Sequence, residues 1–110
     1  MEAKAIAKGL RVSPIRTRIT IDMIRGKNVS EALNILNNTN QKSARLIKKV
    51  LDSAIANAVN NEKADINTLY VKEARVDAGP VMHRAIIDSR GHIGHNDKRT
   101  SHIVIVVASR

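Results

Sequence analysis

The stretch from Gly79 to His102, GPVMHRAIIDSRGHIGHNDKRTSH, limits the possible folds more than any other part of the chain. It separates two strand-like runs, Leu69 to Val76 and Ile103 to Ala108, and no small core can accommodate it. It carries Arg84, Arg90, Lys98 and Arg99, glycines at Gly91 and Gly94, and all four histidines, His83, His92, His95 and His102. Two strands joined by a long polar insert with glycines predict a β-hairpin whose arms run out past the body. At roughly 3.3 Å per residue, ten residues out and ten back project on the order of 30 Å. A compact domain rarely keeps so long a connection without a use for it, and the use these residues suggest is contact with RNA.

Charge supports a polyanionic partner. Of 110 residues, 19 are Lys or Arg and 10 are Asp or Glu, a net charge of +9 and an isoelectric point near 10.5. A field of that sign favours nucleic acid first and an anionic membrane second. Residues 1–27 hold seven basic and two acidic residues, and residues 79–110 five and two, so the positive charge lies at the N-terminal elements and in the arm. The stretch 62–78 is slightly acidic, with three against four. Cations on two separate surfaces let one small protein touch more than one RNA segment, each neutralised phosphate adding to the salt dependence.

Several function classes are disfavoured. Without cysteine there are no disulfides, zinc ribbons or thiol chemistry, in keeping with a reducing cytoplasm. No run approaches the ~20 apolar residues that span a bilayer, and Met1 to Leu10 lacks the apolar core of a signal peptide. A membrane-surface role needs a helix with an aromatic-rich apolar face, and Tyr70 is the sole aromatic. The same scarcity excludes base-stacking platforms, so RNA must be held through phosphates, sugars and groove shape. Ser89, Ser101 and His102 do not form a nucleophile–base pair, since strand alternation sets Ser101 and His102 on opposite faces, and no paired carboxylates share a face. The chain is expected not to be an enzyme and to take no cofactor. His92 and His95 lie three apart, but the neighbouring glycines argue against a shared helical face, and RNA-facing donors are the better reading than a metal site.

Read in order, alternation predicts a strand over Ala3–Val12. Ser13-Pro14 predicts a capped helix start and a helix over Pro14–Arg25, with Ile15, Ile19 and Met23 on one face and Ile21 and Ile24 on the other, hence sandwiched, and with Gly26 as its left-handed stop. Asn28 and Glu31 suggest a capping box before a short helix through Leu36. Gln41–Asn60 is the clearest helix: Ala44, Ile47, Val50, Leu51, Ala54, Ile55 and Ala58 fall on one face. Its opposite face, with Arg45, Lys48, Lys49 and Asp52, reads equally well as solvated surface or as a contact. The strand from Leu69 slips phase near Glu73-Ala74, where a bulge fits. Ile103 to Ala108 is apolar in both phases and is expected to be central and covered on each face. The expected fold class is α+β: three helices on a small three-stranded antiparallel sheet with a long protruding β-hairpin. One domain spans 1–110, with a globular body over 1–78 and 103–110 and an arm over 79–102.

Four stretches, in this order and spacing, resemble one family: IRGK at Ile24–Lys27, SAIANA at Ser53–Ala58, Gly79-Pro80, and KRTSHI at Lys98–Ile103. The chain is similar throughout to the bacterial large-subunit ribosomal proteins conventionally numbered twenty-two. The resemblance implies a structural constituent of the large ribosomal subunit in the cytoplasm. Such a protein binds several domains of large-subunit ribosomal RNA, supports early assembly, and reaches with its hairpin into the wall of the nascent-peptide tunnel. It implies neighbouring large-subunit proteins and the nascent polypeptide as partners, and no membrane. The alternative is a free basic RNA-binding regulator. The expected RNA-binding residues are Lys4, Lys8, Arg11, Arg16, Arg18, Arg25, Lys27, His83, Arg84, Arg90, His92, His95, Lys98, Arg99, Thr100, Ser101 and His102. The expected tunnel-facing tip is Ile86, Ile87, Asp88, Ser89, Arg90 and Gly91. The tip departs from the family's dense KRxxPRAxGRA pattern: His83, Ile87, Asp88 and His92 stand where Lys, Pro, Arg and Arg are common. Asp88 repels phosphate unless Arg84 or Arg90 pairs with it, so the arm is expected to depend on Lys98 and Arg99 at its base. Ile86, Ile87 and Ile93 either pair across the hairpin or face RNA or the tunnel lumen.

Overall fold

A computed structural model describes residues 2–81, 85–87, 93–95 and 99–109. Strand β5, Ser101–Ser109, lies between β1, Glu2–Leu10, and β2, Leu69–Ala78, and pairs antiparallel with both. Its sequence explains its place. Ile103 to Val107 is an unbroken β-branched run, which suits a strand paired on both sides. Helices cover only one face, however. Ile103, Ile105 and Val107 join the main core, while Val104, Val106 and Ala108 are buried on the other face among side chains of the flanking strands.

Helix α3, Lys42–Asn61, lies across the inner face next to β1 and β5. Its buried residues are the seven the spacing predicts, together with Ser43. The alanines at 44, 54 and 58 and those at 3 and 5 on β1 are all buried in this core, small side chains that let a helix approach a sheet closely. Helix α2, Val29–Asn38, buries Val29, Ala32 and Leu36 at the predicted spacing.

Helix α1, Pro14–Asp22, is shorter than Pro14–Arg25 and is not sandwiched. Ile21 and Ile24 are fully buried, but Ile15 and Ile19 are 60% and 65% exposed. One face meets the rest of the protein, and its hydroxyls have partners: Thr17 donates to the Ser13 carbonyl at 2.7 Å and Thr20 to Gln41 Oε1 at 2.8 Å. The helix stops because a tertiary pairing replaces its next turn. After Asp22 the amides of Met23, Ile24 and Lys27 bond three residues back, to Thr20, Ile21 and Ile24. Gly26, at φ +80°, then turns the chain so that its N–H reaches the Val71 carbonyl at 2.9 Å. Ser13 and Asn28 are the residues before α1 and α2 as expected, but neither side chain makes a capping hydrogen bond.

The β2–β5 register shifts between Val71 and Glu73, next to the predicted bulge. The strands β3, Ala85–Ile87, and β4, Ile93–His95, form a second, two-stranded antiparallel sheet, with Ile87 opposite Ile93. The molecule measures 61 × 25 × 17 Å with a radius of gyration of 16.8 Å, where a compact chain of this length gives about 13 Å.

Candidate RNA-binding surface

The β2 edge is sealed by α1 and the turn after it. Gly26 N–H donates to the Val71 carbonyl, and Val71 N–H donates to the Lys27 carbonyl at 2.8 Å. Farther along, Arg25 donates from Nε at 3.1 Å and from a terminal nitrogen at 2.6 Å to the Ala74 carbonyl. Arg18 donates from Nε to the Val76 carbonyl at 3.1 Å. Two of the expected RNA-binding arginines therefore satisfy acceptors on a strand edge that would otherwise be open to pairing with another chain. Arg25 also pairs with Asp22 at 2.7 Å. Both side chains are exposed, so the positive charge remains at the surface.

On the outer face of the sheet, cross-strand neighbours follow from the register: Lys4, Val106 and Glu73 form one row, and Ile6, Val104 and Arg75 the next. The cations of the β2 half of this face are paired, Lys72 with a residue of β1. Arg75 pairs with Glu73 at 2.7 Å and with Asp77 at 3.4 Å, and Lys72 pairs with Glu2. Those of the β1 half are not: Lys4 and Lys8 are exposed and meet no carboxylate among the described residues. The same is true of Arg11, Arg16, Arg18, Lys27 and Arg99.

At the base of the arm, three chain segments are held together. Gly79 N–H donates to the Thr100 carbonyl at 2.9 Å. A Cβ on Gly79 would lie 2.5 Å from Thr100 Oγ1 and 3.1 Å from the His102 ring, so only glycine fits. Thr100 and Ser101, expected to reach RNA backbone, turn inward instead. Thr100 is 6% exposed and donates to the Pro80 carbonyl at 2.6 Å, and Ser101 is fully buried and donates to the Val12 carbonyl at 2.7 Å. A buried hydroxyl held this way has no reason to leave its acceptor. His102 is half-buried and accepts from Gly9 N–H through Nδ1 at 3.0 Å. In the neutral ring its proton is then on Nε2.

Of the arm residues, Ile86, Ile87 and His95 are placed by backbone register alone. His83, Arg84, Asp88, Ser89, Arg90, Gly91, His92 and Lys98 lie outside the described residues, so the readings of the tip and of the His92–His95 pair fall there too. Among the described residues no three His, Cys, Asp or Glu side chains cluster as metal ligands, and no helix is long and apolar enough to cross a membrane.

One surface feature was not legible in the sequence. An open groove of about 540 Å³ lies between the starts of α1 and α3, lined by Arg11 and Arg16 and also by Gln41 and Lys42. These residues are some thirty positions apart in the chain, and no local pattern links them.

The whole chain matches known proteins. The family model described as Ribosomal protein L22p/L17e matches residues 5–108. The large ribosomal subunit protein uL22 of Halothermothrix orenii is 52% identical over 110 residues, covering all of this chain and 97% of that protein. The protein of the same name from Thermus thermophilus is 48% identical with the same coverage. The one from Clostridium novyi is 47% identical, covering 99% of that protein. With its helices, three-stranded sheet and separate two-stranded sheet, the chain belongs to the ribosomal protein L22p/L17e family, structural proteins rather than enzymes.

Proposed function

We propose that this protein is built into the large ribosomal subunit and held there by ribosomal RNA. On this reading it binds through the exposed cations of β1, of the segment that follows it through α1, and of the arm, supports early assembly, and lines the nascent-peptide tunnel with the tip of its hairpin. Its neighbours are several RNA domains, other large-subunit proteins and the passing nascent chain. The observation that carries the reading is the set of exposed cations, Lys4, Lys8, Arg11, Arg16, Lys27 and Arg99, that find no carboxylate among the described residues. Unpaired cations at this density repel one another, and a polyphosphate removes that cost while releasing condensed counterions.

The family membership favours this over a free RNA-binding regulator, and sedimentation separates the two. In cell extract at high magnesium the protein is expected to migrate with large subunits and to leave them only in strong salt or urea. Recovery in the ribosome-free supernatant at physiological salt would favour the regulator.

A further inference from the structure

We infer that the groove between the first turns of α1 and α3 is a phosphate clasp that grips the backbone of one ribosomal RNA segment, with Lys42 as a gripping residue alongside Arg11 and Arg16. This rests on the ribosomal RNA reading above and goes beyond it by naming a site and its residues.

The groove's volume of about 540 Å³ is in the range of ligand sites, roughly 300–1,000 Å³. Its lining brings three cations together and contains no acidic residue. Arg11 and Arg16 have no carboxylate partner among the described residues. Among the described residues Lys42 makes only a long bond, 3.4 Å, to the Arg11 carbonyl, which leaves most of its donor capacity unused there. Three like charges around one concavity repel one another unless an anion joins them. The described residues supply none.

Of the uncharged polar side chains of the lining, Thr17, Gln41 and Ser43 have partners within the protein, in the last two cases the buried Thr20 hydroxyl. Thr17 is bonded to the Ser13 carbonyl, Thr20 to Gln41, and the Thr20 and Ser43 hydroxyls lie 3.2 Å apart. With these groups satisfied, the three cations of the lining are left to engage an outside partner. Neither helix start carries a side-chain cap, so first-turn amides add to the positive potential at the same place. Arg11 and Arg16 offer planar forks suited to phosphate oxygens, and Lys42 a point charge. The near absence of aromatics fits a site that holds backbone rather than bases.

The test is equilibrium binding of the full chain to purified large-subunit ribosomal RNA over a series of KCl concentrations. The variants are Lys42→Gln, Arg16→Gln and the control Lys63→Gln, which lies beyond the other end of α3, about 30 Å away at 1.5 Å per residue. Urea unfolding confirms that each variant is folded. Lys42→Gln and Arg16→Gln are each expected to weaken binding about three- to tenfold and to lower the slope of log affinity against log salt by about 1. Lys63→Gln is expected to stay within about twofold of the parent. If Lys42→Gln and Arg16→Gln behave like Lys63→Gln while the parent still binds, the clasp is wrong and the RNA reading stands. If the parent itself does not bind, both fall. If the variants bind naked RNA normally but fail to co-sediment with assembled subunits, the groove holds an acidic protein segment and the phosphate clasp is overturned.

Discussion

On the β2 side of the sheet, Arg18 and Arg25 hold the carbonyl oxygens of Val76 and Ala74, and Arg75 lies between Glu73 and Asp77. On β1, Lys4 and Lys8 are exposed, and in the segment that follows it into α1 Arg11 and Arg16 line the groove, none with a carboxylate partner among the described residues. The two groups carry the same residue types at similar exposure, yet in the first Arg18 and Arg25 close a strand edge and Arg75 is paired with carboxylates, while the second has no carboxylate partner among the described residues. A guanidinium already bonded within its own protein has fewer donors for phosphate. An unpaired one carries counterions that RNA displaces. Net charge therefore overstates the number of cations left available to a polyanion, and the internal hydrogen bonds and ion pairs mark those already engaged.

This contrast predicts a graded series in stability, measured by urea unfolding. The largest effect is expected at the arm base, where Gly79→Ala places a Cβ against Thr100 Oγ1 and destabilises by roughly 1–3 kcal/mol. Arg25→Ala comes next: it uncovers the Ala74 carbonyl and removes the pair with Asp22, for about 1–2 kcal/mol given its partial exposure. A loss as small as that of a groove cation would erase the distinction between the two groups. Lys72→Ala breaks an exposed pair with Glu2 and costs less than about 1 kcal/mol. Arg16→Ala, with no partner to lose among the described residues, changes stability by no more than about 0.5 kcal/mol. A clear loss there would mean that its charge does serve the fold.

How legible these features were depends on how far apart the interacting groups lie. The buried face of α3 and the central place of β5 follow from periodicity within one element, and both are as the spacing predicts. The bulge in β2 was read a residue or two from its place, because alternation marks a phase change only approximately. The length of α1 was overestimated because its end is set by a bond from Gly26 to Val71, which no local signal reports. Arg18 and Arg25 resemble any other surface arginines until their partners, 58 and 49 residues away, are seen. Thr100 and Ser101 misled for the same reason: a polar pair beside a basic arm suggests a ligand contact, whereas their acceptors are Pro80 and Val12. Gln41 and Lys42 became candidates only when folding brought α3 beside α1.

The central claim is that the cations this fold leaves unpaired hold it to ribosomal RNA. The direct measurement compares the salt dependence of binding to purified large-subunit ribosomal RNA for two multiple variants of the full chain. One replaces Lys4, Lys8, Arg11 and Arg16 with Gln, and the other replaces Lys72 and Arg75 with Gln. The account predicts that the first lowers the slope of log affinity against log salt by about 4, at roughly 1 per cation, and that the second lowers it by less than about 1. Equal loss per charge in both variants, or no change in the first, would contradict it.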